Sequence, residues 1–389
     1  MTGDSVNNHF GYAVSDAGDV NGDGYDDIIV GAYGYSSNRG RAFIYFGGPV
    51  LDNTADVTLE GEVLNTFFGG SVSSAGDVNG DGYSDVIVGA NFYSNSTGRA
   101  YLYLGGSSMD NIADVIMTGE AINTSFGISV SGAGDVNGDG FEDVIVGAYM
   151  YSDSKGRAYV YFGGTLMDNV ADVIMTGEAS INIFGYSVSS AGDINGDGYS
   201  DVIVGASGYS AFTGRAYLYL GGASMDNIAD VIITGETADD FFGRSVSTAG
   251  DVNGDGYSDI IIGANKYNND IGRSYIYFGG VSMNTIADVI MTGEAAPSNF
   301  GYSVSNAGDI NGDGYSDVIV GASSFSSYKG KVYIYYGGYN MNNIPDVLMT
   351  GESTTNQFGY SVSSAGDING DGYSDVIAGA YGYSSNSGK

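Results

Sequence analysis

Seven short segments rich in aspartate contain the side chains best suited to chemistry. Each reads D-x-N-x-D-G-x-x-D, as in residues 19–27, and we call these nine-residue segments the Asp loops. Oxygens at positions one, three, five and nine, with a carbonyl at position seven, match the ligands of Ca²⁺, and the glycine permits the turn. Mg²⁺ fits less well, because it keeps its waters and takes few protein ligands. The predicted calcium ligands are Asp19, Asn21, Asp23, Tyr25, Asp27, Asp77, Asn79, Asp81, Tyr83, Asp85, Asp135, Asn137, Asp139, Phe141, Asp143, Asp193, Asn195, Asp197, Tyr199, Asp201, Asp251, Asn253, Asp255, Tyr257, Asp259, Asp309, Asn311, Asp313, Tyr315, Asp317, Asp367, Asn369, Asp371, Tyr373 and Asp375.

An EF-hand and a metal-free turn both fit the Asp loops less well than a calcium hairpin. An EF-hand needs Glu at position twelve and flanking helices, but the twelfth residue here is aliphatic, as at Val30, and lies in a predicted strand. Metal-free Asx turns at hairpins use similar residues. Seven copies favour the metal, because clustered carboxylates repel one another unless a cation lies among them. About seven Ca²⁺ ions are therefore predicted, with a structural role, since the chain has no Cys and must be stabilised by other means.

The Asp loops are positioned by a repeat of 58 residues, which runs from Asp19 to the copy at Asp367 without insertion or deletion. One period contains four short runs of strand-forming residues, for example at 69–76, 85–90, 99–106 and 114–120. This predicts an all-β fold, a seven-bladed β-propeller of four-stranded antiparallel blades, with the small residues of each first strand lining the axis. A linear solenoid is disfavoured, because its units are usually shorter and its ends need capping repeats. The chain is interpreted as one domain over residues 1–389, with repeats starting near residues 10, 68, 126, 184, 242, 300 and 358.

Composition excludes several classes of partner. The chain has 46 acidic and 12 basic residues and a net charge of −34, so no basic surface exists to bind nucleic acid or an anionic membrane. No run approaches the roughly 18 apolar residues of a membrane span, and no signal-peptide pattern opens the sequence. With 66 Gly, 3 Pro and 33 Tyr, the composition favours short strands and tight turns.

The last blade is predicted to be incomplete in this chain. Lys389 aligns with Lys331 and Met1 aligns with Met349, so a stretch equivalent to 332–348 is missing. Residues 1–4 should then form the end of the last fourth strand and close the ring, while the absent third strand leaves an open edge beside 375–380. Such an edge invites a strand from another chain. A ring with an incomplete blade, a neighbouring chain filling the gap, and a trimmed chain are all compatible with the alignment.

Variation between the copies concentrates in two sets of loops, those between strands two and three and those between blades. Both lie on the face opposite the Asp loops, which predicts a ligand-binding surface for a protein or glycan there. The alternative is that these loops simply drift and their tyrosines pack locally. The predicted aromatic contacts are Tyr35, Phe92, Tyr93, Tyr151, Tyr209 and Tyr267.

Catalysis is not predicted, because the polar residues of note follow the repeat and no irregular cluster of acid and base groups is visible. His9 is the only histidine and lacks a partner for a catalytic triad or a zinc site. The recurring basic residues (Arg41, Arg99, Arg157, Arg215, Arg273 and Lys331) and glutamates (Glu62, Glu120, Glu178, Glu236, Glu294 and Glu352) are expected to form structural salt bridges or hydrogen bonds.

The sequence resembles the FG-GAP repeats of integrin α-chain β-propellers. Each copy contains a Phe-Gly pair, such as Phe10-Gly11, and a Gly-Ala pair after the second strand, such as Gly31-Ala32, with the Asp loop between them. Two departures are that Tyr, Asn or Ser follows Gly-Ala where the family often has Pro, and that all seven loops keep the calcium motif. The resemblance implies an extracellular or cell-surface adhesion module with no catalytic activity. Two alternatives remain open: a unit of a longer array or filament joined by strand complementation at the incomplete blade, and a lectin, which the absence of Trp disfavours.

Overall fold

The computed structural model describes residues 1–3 and 5–389, which form seven antiparallel sheets around a central channel. In each sheet the strands are hydrogen-bonded in chain order, and the first strand of every sheet contacts the first strands of the sheets on either side. The seven first strands therefore form a closed ring, and the sheets radiate from it as the blades of a propeller. We number the blades 1–7 along the chain.

Six blades have four strands and the seventh has two. The first strands are Ala13–Gly18, Ser71–Gly76, Val130–Gly134, Phe184–Gly192, Ser245–Gly250, Phe300–Gly308 and Val362–Gly366. The second strands are Asp27–Ala32, Asp85–Ala90, Asp143–Ala148, Asp201–Ala206, Asp259–Ala264, Asp317–Ala322 and Asp375–Ala378. The third strands are Arg41–Tyr45, Arg99–Tyr103, Arg157–Tyr161, Arg215–Tyr219, Arg273–Tyr277 and Lys331–Tyr335. The fourth strands are Val57–Glu60, Val115–Thr118, Val173–Thr176, Val231–Thr234, Val289–Thr292 and Val347–Thr350.

The predicted propeller of four-stranded blades is confirmed, with six complete blades and a partial seventh. Between the second and third strands the chain makes a short turn with successive residues in the left-handed region, for example Ser94 (φ 46°) and Asn95 (φ 58°). These turns are Tyr35–Asn38, Tyr93–Ser96, Tyr151–Ser154, Tyr209–Phe212, Tyr267–Asp270, Phe325–Tyr328 and Tyr383–Asn386. Within the described residues, no helix has the length and apolar character needed to cross a bilayer.

The Phe-Gly and Gly-Ala pairs are the residues that join one blade to the next. A Cβ atom at Gly31 of blade 1 would lie 2.0 Å from the carbonyl oxygen of Gly69 in blade 2, so only glycine permits this approach. Phe68, beside Gly69, is fully buried and packs edge-on against Tyr101, with ring centroids 5.3 Å apart. The close glycine approach recurs at all seven joints and the Phe–Tyr packing in blades 2–6, which explains physically why both pairs are kept.

The ring is closed by noncovalent contacts between blades 7 and 1. Gly3 N donates to Gly388 O at 3.1 Å, as Gly351 N does to Gly330 O at 3.0 Å within blade 6. Phe10 also bridges to Gly388 in the parallel sense seen at the other six joints. Residues 1–3 thus take the predicted place at the end of a fourth strand but are not themselves a strand. Asp4, the last residue of that predicted segment, lies outside the described residues.

Candidate functional site

Each Asp loop connects the first strand of a blade to the second and is held in shape by its own side chains. In blade 1 the Asp19 carboxylate accepts from Gly22 N at 2.7 Å and from Gly24 N at 2.9 Å. Asn21 Oδ1 accepts from Asp23 N at 2.8 Å, and Gly24 has a positive φ of 89°. These bonds gather the side chains at positions one, three and five on one short turn, as the spacing predicted.

The aspartate at position nine fastens the loop to the rest of the blade. Asp27 accepts from Val20 N at 2.9 Å and, across the sheet, from Gly47 N at 2.7 Å, just after the third strand. This carboxylate is completely shielded from solvent in six blades. Burial raises the pKa of Asp27, Asp85, Asp143, Asp201 and Asp259 to about 7 and that of Asp317 to about 6.

The donor set of each Asp loop fits a calcium ion. Each loop offers hard oxygen ligands in a single turn: three carboxylates, one amide oxygen and main-chain carbonyls. The raised pKa of the buried carboxylate shows that its negative charge is costly there, and a bound cation would offset that cost. Within the described part of the chain, no three carboxylate or imidazole groups converge as closely as a formed metal site requires. The aspartates bond to loop amides instead. The 35 predicted ligands thus lie on their seven loops without converging on a common centre among the described residues, and metal binding stays a prediction.

The seventh Asp loop differs from the others, because the described residues of its blade include no third strand. Asp375 is only half-buried and has no amide equivalent to Gly47 N to accept from. Asn369 Nδ2 donates to Asp375 at 3.0 Å, whereas Asn21 Nδ2 in blade 1 donates to Asp23, the residue at position five. The amide at position three has therefore turned toward position nine.

Five of the six residues predicted to contact a ligand are covered by arginines of their own blades. The Cζ atom of Arg99 lies 3.8 Å from the centroid of the Tyr93 ring, and Arg99 also pairs with Glu62 of the preceding blade at 2.8 Å. The same stacking covers Tyr35, Tyr151, Tyr209 and Tyr267, at 3.5 to 3.8 Å. These tyrosines lie on the predicted face, but the ring of Tyr35 packs against an arginine paired within its own blade and the other four against an arginine of an interblade ion pair.

The recurring basic and acidic residues form the expected structural ion pairs between blades. Besides Arg99 with Glu62, the pairs are Arg157–Glu120, Arg215–Glu178, Arg273–Glu236, Lys331–Glu294 and Lys389–Glu352. In blade 1, Arg41 pairs with Glu60 of the same blade at 3.1 Å. Each glutamate of an interblade pair follows the fourth strand of one blade and reaches the third strand, or its equivalent, in the next.

Phe92, the sixth predicted contact, lies instead at one end of the central channel. It is 43% exposed, and its ring centroid is 4.4 Å from that of Phe67. We call this end, on the face opposite the Asp loops, the channel mouth, and define it by the seven residues that follow each Phe-Gly pair. They are Tyr12, Gly70, Ile128, Tyr186, Arg244, Tyr302 and Tyr360, and all line a cavity of about 380 Å³.

The channel mouth contains an aromatic cluster that sequence reasoning missed. Tyr33 contacts both Phe67 (5.0 Å between centroids) and Tyr12 (4.5 Å), and Tyr12 contacts Tyr360 (4.9 Å). His9, for which no partner in a triad or zinc site is expected, stacks on Tyr33 at 4.7 Å, and burial lowers its pKa. The sequence did contain one sign of this site: the residue after Phe-Gly differs among the copies, although the positions on either side of it are nearly constant.

A second cavity lies beside the incomplete blade. It measures about 430 Å³, and its lining is mostly apolar. Ile377 and Val376, on the second strand of blade 7, are half-buried, whereas their equivalents in the other blades are fully enclosed. Phe358 is likewise only half-buried, because this blade has no counterpart of Tyr101 to cover it. The predicted open edge is therefore present in this chain.

Seven stretches of the chain match the sequence profile of the FG-GAP repeat. They are residues 10–45, 68–103, 126–161, 184–219, 242–277, 300–335 and 358–389, and together they make up more than half of the sequence.

Similar proteins include several integrin α chains. Integrin alpha-5 of Xenopus laevis is 35% identical over 100 residues, which are 24% of this chain and 9% of that protein. Integrin alpha-PS2 of Drosophila melanogaster is 36% identical over 115 residues, 27% of this chain and 8% of that protein. The aligned part thus spans less than a tenth of the length of these two relatives.

Among solved structures, a fucose-specific lectin from Aleuria aurantia is similar with a TM-score of 0.46 and 10% identity, over 90% of this chain and 98% of that one. The Dos1 propeller is similar with a TM-score of 0.45 and 10% identity, over 84% and 67%. Likenesses at these scores have no bearing on function.

Proposed function

Because this chain belongs to the FG-GAP repeat family, we propose that it is a calcium-stabilised binding and adhesion module without catalytic activity that works outside the cell. The observation that supports calcium is the Asp loop present in all seven blades, in six of which Asp27 or its equivalent ties the first connection of the blade to the end of its third strand. The similarity to integrin α chains supports the adhesion role and the location.

In this proposal the ion supplies positive charge that offsets three neighbouring carboxylates. The chain's own residues do the positioning: Asp19 orders the turn through loop amides, and Asp27 holds that turn against the sheet. Seven divalent ions also reduce the net charge from −34 to about −20, which weakens the self-repulsion of the folded chain. A ligand that binds only the folded state stabilises it by mass action, by about 1.4 kcal/mol at ten times its Kd.

Calcium titration followed by calorimetry tests this proposal. We expect binding near seven ions per chain and a rise in the unfolding midpoint with Ca²⁺ that the same concentration of Mg²⁺ does not reproduce. Asp143→Asn should lower the stoichiometry by one. Asp168→Asn is the matched control, because it removes the same charge from an exposed loop of the same blade, where Asp168 only accepts from Val170 N. No change in midpoint or bound calcium at millimolar Ca²⁺ would refute the calcium role.

The proposed ligand, a protein or a glycan, binds the face opposite the Asp loops. Phe92 supports this location, since it is a large apolar side chain exposed at the channel mouth. Attachment of cells and extracellular-matrix proteins to the immobilised propeller measures the activity, and Phe92→Asp should reduce it. Val50→Asp is the control, because Val50 is 87% exposed in the connection between strands three and four, on the Asp-loop face. A glycan array identifies a lectin directly; equal attachment by both variants contradicts the assigned face.

A second candidate function is strand capture at blade 7, which the apolar cavity beside its unpaired second strand favours. We propose that the occupant is an extended segment with the chemistry of the third strands, such as K-V-Y-I-Y at Lys331–Tyr335. Such a strand would pair with Asp375–Ala378, as Val318 pairs with Tyr335 in blade 6, and would cover Phe358.

A labelled peptide with the sequence of residues 331–350 tests strand capture. We expect one peptide to bind per chain, to raise the unfolding midpoint, and to lose affinity when Ile377→Asp is introduced on the receiving strand. A peptide with the same composition in scrambled order is the control. Equal binding of both peptides would exclude specific capture, and dimerisation of the chain without peptide would assign the edge to a second copy.

A further inference from the structure

The sevenfold symmetry of the propeller is broken chemically at the channel mouth. Phe-Gly precedes this position in every copy and serine follows it in six of seven, but the position itself holds four Tyr, one Gly, one Ile and one Arg. All seven residues line the same cavity of about 380 Å³. A cavity ringed by unequal residues can bind an unsymmetrical ligand, which a sevenfold repeated surface cannot do specifically.

Arg244 is the one cation of the channel mouth, and it lies between two tyrosines. Its Cζ atom is 3.9 Å from the centroid of the Tyr186 ring and 5.3 Å from that of Tyr302. Its Nη2 donates to Tyr302 Oη at 3.3 Å. Arg244 is half-buried, so its guanidinium is held by aromatic neighbours while part of it still faces the cavity.

No carboxylate among the described residues pairs with Arg244. The arginines of the third strands each have a glutamate, such as Arg215 with Glu178 at 2.8 Å. The nearest acid in sequence, Asp240, accepts instead from Thr237 N and Oγ1. Asp16, the acid on the wall of the channel, lies four residues along a first strand from the mouth, about 13 Å away. A half-buried cation that lacks a counter-ion in a chain of net charge −34 is an unusual arrangement.

Tyrosine hydroxyls extend from Arg244 around the mouth. Tyr302 Oη donates to Tyr360 Oη at 2.8 Å, and Tyr360 Oη donates to Tyr12 Oη at 3.1 Å. Burial raises the pKa of Tyr12, Tyr186 and Tyr360, so these phenols stay protonated at neutral pH. In this series of hydrogen bonds the Tyr12 hydroxyl accepts from Tyr360, so its own proton is free for another acceptor. The mouth therefore presents a guanidinium at one end of this series of hydrogen bonds and a phenol donor at the other.

We propose that the channel mouth binds a carboxylate of a partner protein, with Arg244 as its counter-ion. A planar carboxylate matches the planar donor fork of a guanidinium, and one positive charge matches a monoanion better than a phosphate dianion. Phe67, Phe92 and Ile128 also line this cavity and suit an apolar side chain next to the acid. This inference deepens the proposed binding role and rests on it.

Peptide binding followed by NMR tests the carboxylate site. The probes are N-acetyl-Leu-Asp-Phe-amide, the same peptide with Asn in place of Asp, and inorganic phosphate. We expect only the Asp peptide to shift the labelled tyrosine and arginine side-chain signals of the mouth. Arg244→Gln should weaken its binding by about tenfold to a hundredfold, the usual effect of losing one charged hydrogen-bonding partner. Arg244→Lys should recover only part of the loss, because the planar fork is absent.

Arg215→Gln is the matched control, because it removes one guanidinium from the outer edge of the same face without changing the channel. Equal binding of the Asp and Asn peptides, or unchanged binding by Arg244→Gln, would overturn the proposal. Tighter binding of phosphate than of the Asp peptide would overturn the choice of carboxylate.

The attachment assay separates this inference from the proposed function. If the peptide binds but the immobilised propeller supports no attachment, the adhesion role fails and the carboxylate site stands. If attachment survives Arg244→Gln while the peptide is lost, the site is not the adhesion site, and the link between the two is refuted.

Discussion

The wall of the central channel contains a ring of interblade hydrogen bonds with one member missing. Val130 N donates to Ser71 Oγ of the preceding blade at 3.0 Å, and the same bond recurs at five further joints. Blade 1 has Ala13 at this position, so Val72 N has no serine to donate to. Ala13→Ser should complete the ring and stabilise the propeller.

The expected gain follows from the position of the bond. A neutral hydrogen bond contributes a net of about 0.5–1.5 kcal/mol, and the six serines are half-buried in a channel wide enough for water, so the lower half of that range applies. Unfolding entropy near 2.1 cal/mol/K per residue gives about 0.8 kcal/mol/K for 389 residues. Ala13→Ser should therefore raise the unfolding midpoint by about 1 °C, and Ser245→Ala should lower it by a similar amount or more, because it leaves Val304 N unpaired.

Scanning calorimetry at saturating Ca²⁺, with urea denaturation as a second measurement, resolves differences of this size. Ser73→Ala is the control, because Ser73 lies on a first strand, is equally half-buried and makes no described hydrogen bond through its hydroxyl. We expect no change for Ser73→Ala. A stabilising Ser245→Ala, or an Ala13→Ser protein no more stable than the parent, would show that the serine ring does not hold the blades together.

Three further predictions concern the face opposite the Asp loops, the Asp loops and the blade joints. Burial lowers the pKa of His9, so the neutral imidazole stabilises the fold above pH 6.5 and this contribution is lost as the pH falls. The parent should therefore lose its stability advantage over His9→Gln between about pH 7.5 and 5.5, which denaturation curves at saturating Ca²⁺ measure. Asp375→Asn should reduce calcium affinity less than Asp143→Asn, because Asp375 is half-exposed and lacks the amide donor of Gly163, and a calcium titration that shows equal losses would contradict this. Glu178→Gln should cost about 0.5 kcal/mol at low salt and less at high salt, since the pair with Arg215 is partly exposed.

The sequence predicted what the repeat imposes. The period located all seven Asp loops, the order of the strands and the incomplete last blade, because identical copies must make identical contacts with their neighbours. Even Gly31 and Gly69 can be explained this way, since a close backbone approach that recurs seven times leaves glycine in every copy. Recurrence also identified Arg215 and Glu178 as a structural pair, because a residue present in nearly every blade serves the blade.

The sequence did not predict which aromatic residues meet. Tyr93 is predicted from the sequence to contact a ligand, but the left-handed turn that begins at Tyr93 brings its ring beneath Arg99 at the start of the third strand. Six residues separate the two in sequence, and only the turn geometry determines that they stack. Phe92, its neighbour, lies at the channel mouth instead. Adjacent side chains enter different surroundings because of the backbone angles of the turn, which composition does not encode.

The residues missed by sequence reasoning are those at which the copies disagree. When repeats are compared, a variable position inside a constant segment is interpreted as sequence drift without function. Arg244 is such a position when its blade is considered alone. Its meaning depends on Tyr186 and Tyr302, which lie 58 residues away on either side and become neighbours only because the first strands meet at the axis. A closed ring thus converts differences between repeats into one local, asymmetric site. In this propeller, fold is therefore specified where the copies agree, and ligand specificity is to be sought where they differ.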